Sequence, residues 1–381
     1  MAKTPLRTRD RGGVGALHLD VVRDDERAGS EGVPGQSSPS GWYVLAHARE
    51  LPRGAVLTRR LASRDVVLFR GESGRCAALD AMCPHMGAHL GHGGRVEGET
   101  LRCPFHGFRF DRDGVCVATG YGTRPPPGCR AGRFAVHETH GLVLVWYGAT
   151  GEAPFFEVPS IDLDGWTPFR WKRWSMRGHP QETSENSVDF GHLAVVHGYR
   201  ALKVVRELTL DGPYLNVVYG MERPLIPGLL GVPIRAEFEI HVHGLGYSFV
   251  EVRVLDVGLR TRHFVLSTPT DPERVCFEVG LSLERLRAPR SLRSLPEALR
   301  RLPGEALSRV VAEAAFQGFV HDVMQDFTIW RHKRYVQAPA LAEGDGPIGR
   351  YRRWARQFYA GEAGARGGVG AVAHESRRQE S

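Results

Sequence analysis

Two short loops carry the first chemistry the sequence offers. Cys83 and His85 lie in Ala81-Met-Cys-Pro-His-Met-Gly-Ala-His-Leu-Gly, and Cys103 and His106 in Cys103-Pro-Phe-His-Gly-Phe. The pattern is C-x-H…C-x-x-H, one thiolate and one imidazole per loop, each in a tight Pro/Gly turn. Such a set can hold a [2Fe–2S] cluster with two Cys on one iron and two His on the other. The alternative is a structural zinc ion, but zinc ligands are usually spaced C-x₂₋₄-C and H-x₃₋₅-H rather than mixed within each loop. A second constellation follows at Glu185-Asn-Ser-Val-Asp-Phe-Gly-His-Leu-Ala-Val-Val-His197. On a regular helix His192 and His197 would stand roughly 140° apart. To chelate one ion they need a break or π-type distortion between them; otherwise they are two unrelated histidines near a helix end.

The elements that must position these residues can be read from pattern. Residues 1–40, rich in Gly, Ser, Pro and charge, read as a disordered leader. From Gly41-Trp-Tyr-Val-Leu to about residue 150, short β-rich runs alternate with turn residues, which predicts a small all-β domain with both Cys/His loops between its strands. Tyr121 to Cys129 is a rigid non-helical connector, and Glu152-Ala-Pro-Phe-Phe-Glu-Val-Pro-Ser a linker. A second domain over 151–360 opens with Trp171 to Met176 and continues as a polar helical stretch from about Glu182 to His197. Runs of period two at Leu215, Ala236, Ser248, His263 and Val275 then mark a half-buried antiparallel sheet. Gly304 to about Lys333 has a helical period, and a long helix against that sheet gives an α+β domain. Residues 361–381 are low-complexity again.

Composition narrows the function. The 381 residues hold 42% hydrophobic and 24% charged side chains, ordinary for a globular protein. No run of eighteen apolar residues exists, so no transmembrane span is expected, and the charged N-terminus lacks a secretory h-region. Of the six cysteines, Cys76, Cys116, Cys129 and Cys276 read as buried small hydrophobes rather than a disulfide framework. A cytoplasmic setting is expected. The formal charge of +7 comes largely from Arg. No basic stripe interleaved with aromatics and no recognition-helix pattern points to nucleic acid. Arg95, Arg102, Arg109 and Arg112 flank the loops as a docking patch for an acidic redox partner, or as solvated surface. His89 and His92 read as surface or supporting residues rather than ligands.

The flanking residues Cys-Pro-His-Met-Gly-Ala and Cys-Pro-Phe-His-Gly-Phe-Arg-Phe resemble the oxygenase-type Rieske fingerprint. Respiratory Rieske proteins add a Cys to each loop and carry Ser and Tyr hydroxyls that donate to the sulfurs. Ala88, Phe105, Phe108 and Phe110 stand at those positions here, which implies a low-potential centre. The pattern E-N-x-x-D-x-x-H-x-x-x-x-H after such a domain resembles the mononuclear-iron motif of Rieske non-haem iron oxygenases, over roughly residues 42–360.

That resemblance implies a catalytic domain of helix-grip, START-like fold, in which His192 and His197 are ligands of a 2-His-1-carboxylate Fe(II) open to O₂. It places the carboxylate far downstream, at Asp322 or Asp326, four apart on one helical face. The Gln325-Asp326-x-x-x-Trp330 setting looks like the family's steroid and sterol branch and favours Asp326. Asp189 matches the residue that bridges the two metal sites across a subunit boundary, typically in a homotrimer; its alternative is a helix N-terminal acid held by the dipole. Asn186 is implied to lie beside the iron and shape the O₂ pocket, and Glu185 to cap or pair locally.

The ending from Asp345 to Tyr359 resembles 3-ketosteroid 9α-hydroxylase and cholesterol 7-desaturase. The resemblance implies a terminal oxygenase fed by a separate ferredoxin or NAD(P)H-dependent flavin reductase, acting on a bulky hydrophobic, steroid-like substrate. Arg287 to Pro296 reads as a basic insertion at the cavity entrance. Two further functions remain open. One is natural-product tailoring by desaturation or oxidative cyclisation; the other is an electron carrier whose C-terminal domain is non-catalytic.

Overall fold

The computed structural model describes residues 18–22, 37–224, 233–286, 297 and 301–359. The basic insertion at 287–296, the tail at 361–381 and most of the leader lie outside the described residues. The N-terminal part is all β. One sheet runs, in spatial order, Arg133–Phe134, Cys76–Asp80, Arg64–Arg70 and Val56–Leu61, and a second Val136–Thr139, Leu142–Tyr147 and Gly41–His47. Tyr43, Leu45, Val66, Leu68, Val143 and Val145 form the core between them. A small third sheet, Arg95–Glu97, Thr100–Arg102, Arg109–Phe110 and Cys116–Ala118, carries the second Cys/His loop. All six cysteines are unpaired.

The expected period-two runs form one eight-stranded sheet. Its spatial order is Leu19–Val21, Arg170–Arg177, Arg274–Leu283, Leu259–Asp271, Tyr247–Val254, Pro233–His243, Tyr214–Pro224 and Arg200–Asp211. All pairs are antiparallel except the first. That first strand corrects the expectation of a leader without structure through residue 40. Its three residues pair with Arg173, Trp174 and Ser175, and Val22 just after it packs under the long helix. The stretch is too short to show periodicity, so only the partner strand reveals it.

Among the described residues, four α-helices complete the second domain: α1 (Pro180–Glu185), α2 (Phe190–Val195), α3 (Gly304–His332) and α4 (Ile348–Ala355). The expected α3 lies where its period placed it, with Phe316, Val320, Phe327 and Trp330 packed on Trp174, Phe277 and Leu281 of the sheet. The single helical stretch expected from Glu182 to His197 is instead two short helices, α1 and α2. His179 and Asp189 cap their N-termini by accepting from Gln181 and His192 N–H groups.

Candidate metal sites

The two Cys/His loops close in the same way. Cys83 N–H donates to Ala88 O (2.8 Å) and Gly87 N–H returns to Cys83 O (2.9 Å). Cys103 N–H donates to Phe108 O (2.7 Å), and Gly107 N–H to Cys103 O (3.2 Å). Gly87 and Gly107 sit at φ of +73° and +66°. A Cβ on Gly107 would also fall 3.0 Å from Gly120 Cα, so only glycine closes that turn without strain. The sulfurs end up inside, with Cys83 and Cys103 each 2% exposed. The imidazoles of His85 and His106 stay half-exposed, with ring centroids 4.7 Å apart. Phe108 lies flat on His85 at 4.2 Å. Burial pushes the Cys83 thiol well above its usual range, a cost that iron removes by taking the thiolate. Buried thiols beside paired surface imidazoles fit a [2Fe–2S] cluster carried with its histidine edge outward.

Neighbouring residues divide as the loops require. His89 accepts from Gly91 N–H (3.1 Å), faces Asp65 (3.4 Å) and lies tilted against His92 (4.3 Å). Arg95, Arg102 and Arg109 converge on Glu97 at 3.0, 2.9 and 3.9 Å, leaving a positive excess beside His106. Arg112 does not join them; it lines a separate cleft with Arg64 and Arg133. Met82, Met86, Phe105 and Tyr121 are exposed around the loops.

The second site is assembled from distant parts of the chain. His192 lies in α2; that helix ends at Val195, and Gly198 at φ +67° turns the backbone away just after His197. This break brings the two rings to 5.2 Å, 74° apart. Asp326 enters from α3, and the donor atoms of His192, His197 and Asp326 all lie within 4.8 Å of one another. His192 Nδ1 donates to Asp189 O at 2.5 Å, and His197 Nδ1 to Gln325 Oε1 at 2.8 Å. With both Nδ1 positions engaged, both Nε2 lone pairs are left for a metal, the arrangement in which a partner fixes tautomer and ring direction.

Charge points the same way. Burial raises the Asp326 pKa further than His197 and His192 lower it, and Asp189 and Asp322 add to the rise. Burial alone would lower the His192 pKa, but Asp189 and Asp326 raise it overall. A half-buried pocket with this surplus of carboxylate is one a divalent cation neutralises. Two imidazoles and a carboxylate fit the facial triad of non-haem iron.

Asp322, the other carboxylate candidate, is engaged elsewhere. It accepts from Tyr199 Oη and Arg223 Nη2, both at 2.8 Å. The Asp189 carboxylate caps α2, accepting from His192 N–H at 3.2 Å, while its backbone O meets the His192 ring. Asn186 is half-buried at the end of α1, and among the described residues no hydrogen bond ties its side chain to the two histidines. Glu185 does not pair locally: Arg352 of α4 grips both its oxygens at 2.6 and 2.8 Å. The loop before α4 also roofs α2, since Phe190 N–H donates to Asp345 O and a Cβ on Gly346 would meet Val188 O at 2.3 Å. Gln325, Tyr199, Arg223 and Arg352 were not singled out from sequence for these roles. Gln325 alone carried a signal, as the neighbour of Asp326.

Comparison with known proteins assigns both parts of the chain to families. Residues 41–125 match the Rieske [2Fe-2S] domain, and residues 145–359 the 3-ketosteroid 9alpha-hydroxylase C-terminal domain. A cholesterol 7-desaturase of Bombyx mori is 29% identical over 331 residues, 84% of this chain and 69% of that protein. A probable 3-ketosteroid-9-alpha-monooxygenase oxygenase component of Rhodococcus rhodochrous is 29% identical over 351 residues, 89% of this chain and 84% of that one. The crystal structure of dicamba monooxygenase bound to dicamba shares the fold, with a TM-score of 0.59 at 23% identity, covering 84% of this chain and 96% of that chain. The cluster loops, the downstream two-histidine pocket and both family matches make this chain a Rieske-type oxygenase component of the 3-ketosteroid 9α-hydroxylase family.

Proposed function

We propose that this is a terminal oxygenase in which Cys83, His85, Cys103 and His106 hold the [2Fe–2S] cluster and His192, His197 and Asp326 hold a mononuclear Fe(II). The domains divide at 41–150 and 151–360. When bound, the cluster supplies single electrons and the ferrous ion supplies O₂ activation and C–H oxidation. The observation that carries the reading is the pocket itself: three donors within 4.8 Å, two with Nε2 free.

The residues around it have separable tasks. Asp189 and Gln325 hold the two rings in register. Asn186, from the turn between α1 and α2, lines the O₂ pocket. The substrate is a bulky hydrophobic, steroid-like molecule, in keeping with the 3-ketosteroid and cholesterol enzymes among the relatives. It is hydroxylated at a C–H bond. Desaturation is the second reading, favoured by the cholesterol 7-desaturase relatives.

Electrons come from a separate ferredoxin or flavin reductase. No described helix is long and apolar enough to cross a membrane, and a cytoplasmic site suits the unpaired cysteines. The protein is a homotrimer in which Asp189 bridges to a cluster histidine of the next subunit. Exposed apolar side chains at both sites are in keeping with this: Met86 (66%) and Phe105 (62%) beside the cluster loops, and Val195 (87%) beside the iron pocket. The test is metal content with turnover on a 3-ketosteroid. About three irons per chain and loss of the third in His192→Ala are expected. About two irons in the parent protein would leave only an electron carrier.

A further inference from the structure

The two domains meet along an apolar seam and an ionic one side by side. On the apolar side, Trp42, Val44 and Leu144 of the cluster domain share a core with Tyr247, Phe264 and Leu266 of the large sheet. On the ionic side, Arg173 and Glu278 face each other across neighbouring strands. They point away from Trp174 and Phe277, which pack under α3. The cluster domain contributes His47, Glu50 and Arg59.

The bonding is continuous. Arg173 Nε donates to Glu278 Oε2 (2.9 Å), while its terminal nitrogens reach both oxygens of Glu50 at 3.3 and 3.2 Å. Arg59 grips Glu50 from the other side (3.0 Å). His47 closes the chain twice, through its ring Nε2 to Glu278 and its backbone N–H to Glu50 (2.8 Å). The Trp171 ring covers His47 at 4.7 Å. Side-chain exposures are 5% for His47, 4% for Glu278, 3% for Glu50 and 7% for Arg173. Burial opposes ionisation of Glu50, yet Arg173 brings its pKa below the usual value.

Packing alone does not call for such a chain. A buried ion pair is often no more stabilising than apolar side chains of the same volume, and its best-attested use is to fix register. A guanidinium fork satisfied by two carboxylates is satisfied in one orientation, whereas an apolar seam tolerates sliding. We infer that Arg59–Glu50–Arg173–Glu278–His47 is an orientational lock that sets the angle at which the large sheet carries the cluster loops. The lock thereby positions those loops for electron delivery. It exchanges no electron or proton itself. The delivery role rests on the function proposed above.

The test uses the full chain, loaded with cluster and iron. His47→Leu removes the ring bond to Glu278; His47→Gln keeps a donor there. The double variant Arg173→Met/Glu278→Leu replaces the central pair with apolar volume. A spin label at Val310→Cys, exposed on α3, reports its distance to the reduced cluster by pulsed electron resonance. A narrow distribution is expected with the lock intact or with His47→Gln. A shifted or broadened one is expected with His47→Leu and with the double variant, even where the latter melts like the parent. Oxidation of the reduced cluster after mixing with O₂ and a 3-ketosteroid should slow about tenfold in those two variants. Cluster absorption, iron content and the His47→Gln rate should be unchanged. Superimposable distance distributions overturn the lock whatever the rates. Wild-type oxidation rates in His192→Ala would instead overturn the functional reading and the delivery role with it.

Discussion

The loops around Cys83 and Cys103 close on themselves, each by two backbone hydrogen bonds within six residues of its own cysteine. The pocket of His192, His197 and Asp326 has no such closure. Its donors come from α2, from the break after it and from α3, and they are aimed by Asp189 and by Gln325, a partner 128 residues from His197. The loops proposed to carry the cluster ligands are held in shape by backbone. The proposed mononuclear site is instead set by side chains on separate elements, which suits a metal that must keep open positions. The first design should resist remote substitution and the second should not.

The sharpest way to break the comparison is at the two aspartates of α3. Asp326→Asn should empty the mononuclear site and lower turnover at least about a thousandfold, with the cluster spectrum unchanged. Asp322→Asn should keep iron but weaken the hold on the half-buried Arg223, costing roughly 1–3 kcal/mol of stability. Iron content and urea midpoints of the two variants measure both. If Asp322→Asn lost the iron and Asp326→Asn kept it, the carboxylate assignment would be reversed.

Acid should separate the domains next. Burial lowers the pKa of His179 and His243 to about 4 and that of His263 to about 3; all three lie in the catalytic domain. Their folded pKa values are below that of the unfolded chain. Between about 4 and 6.5 the unfolded chain therefore binds protons that the folded one refuses. This contribution is intact above pH 6.5 and lost as pH falls, by roughly 2 kcal/mol per fully buried histidine at pH 5. Urea unfolding followed by tryptophan fluorescence should shift to lower midpoint between pH 7 and pH 5, more than loss of the cluster absorption does. Equal shifts would mean that the two domains unfold as one unit.

The same contrast decides what could be read from sequence. Both cluster loops were legible, because their donors and turn glycines are adjacent in the chain and their closure is local. The sheet and α3 followed from hydrophobic period. His192 and His197 were legible as a pair needing a break, and the break is there at Val195 to Gly198. What escaped is everything set by partners far away in sequence. Glu185 was expected to pair locally, yet its partner Arg352 is 167 residues on. Asp322 and Asp326 share one helical face; the Gln325-Asp326 setting favoured Asp326, but the partners that engage Asp322, Tyr199 and Arg223, were not legible. The strand Leu19–Val21 exists only through its neighbour.

Gln325 sharpens the comparison at smaller scale, since it acts on the metal only through His197. Gln325→Leu removes the acceptor for Nδ1–H and frees the ring to turn or to take the other tautomer. Iron affinity should fall about 10- to 100-fold, the usual cost of losing such a partner. Gln325→Glu, which keeps an acceptor, should recover most of it. Competition titration with a chelator reads the affinity directly, without turnover. Equal affinities in the two variants would show that helix packing alone aims His197.

The smallest effect probes the cluster loops, where backbone closure leaves the side chains free to tune rather than to hold. Phe110 is fully buried in the core that contains Cys83 and Cys103, at a position where respiratory Rieske proteins carry a donor hydroxyl. Phe110→Tyr adds that hydroxyl and changes little else in volume. A hydrogen bond to a cluster sulfur worth about 1 kcal/mol favours the reduced state and raises the midpoint potential on the order of 50 mV. A hydroxyl that finds no sulfur is a buried unsatisfied donor costing roughly 1–3 kcal/mol. Potential and stability must therefore be measured together. A raised potential at unchanged stability would show that a donor at this position tunes the potential, as the expectation of a low-potential centre requires. An unchanged potential with lost stability would show that position 110 does not face the cluster, and that control of its potential lies instead with the loop backbone and the exposed histidine edge.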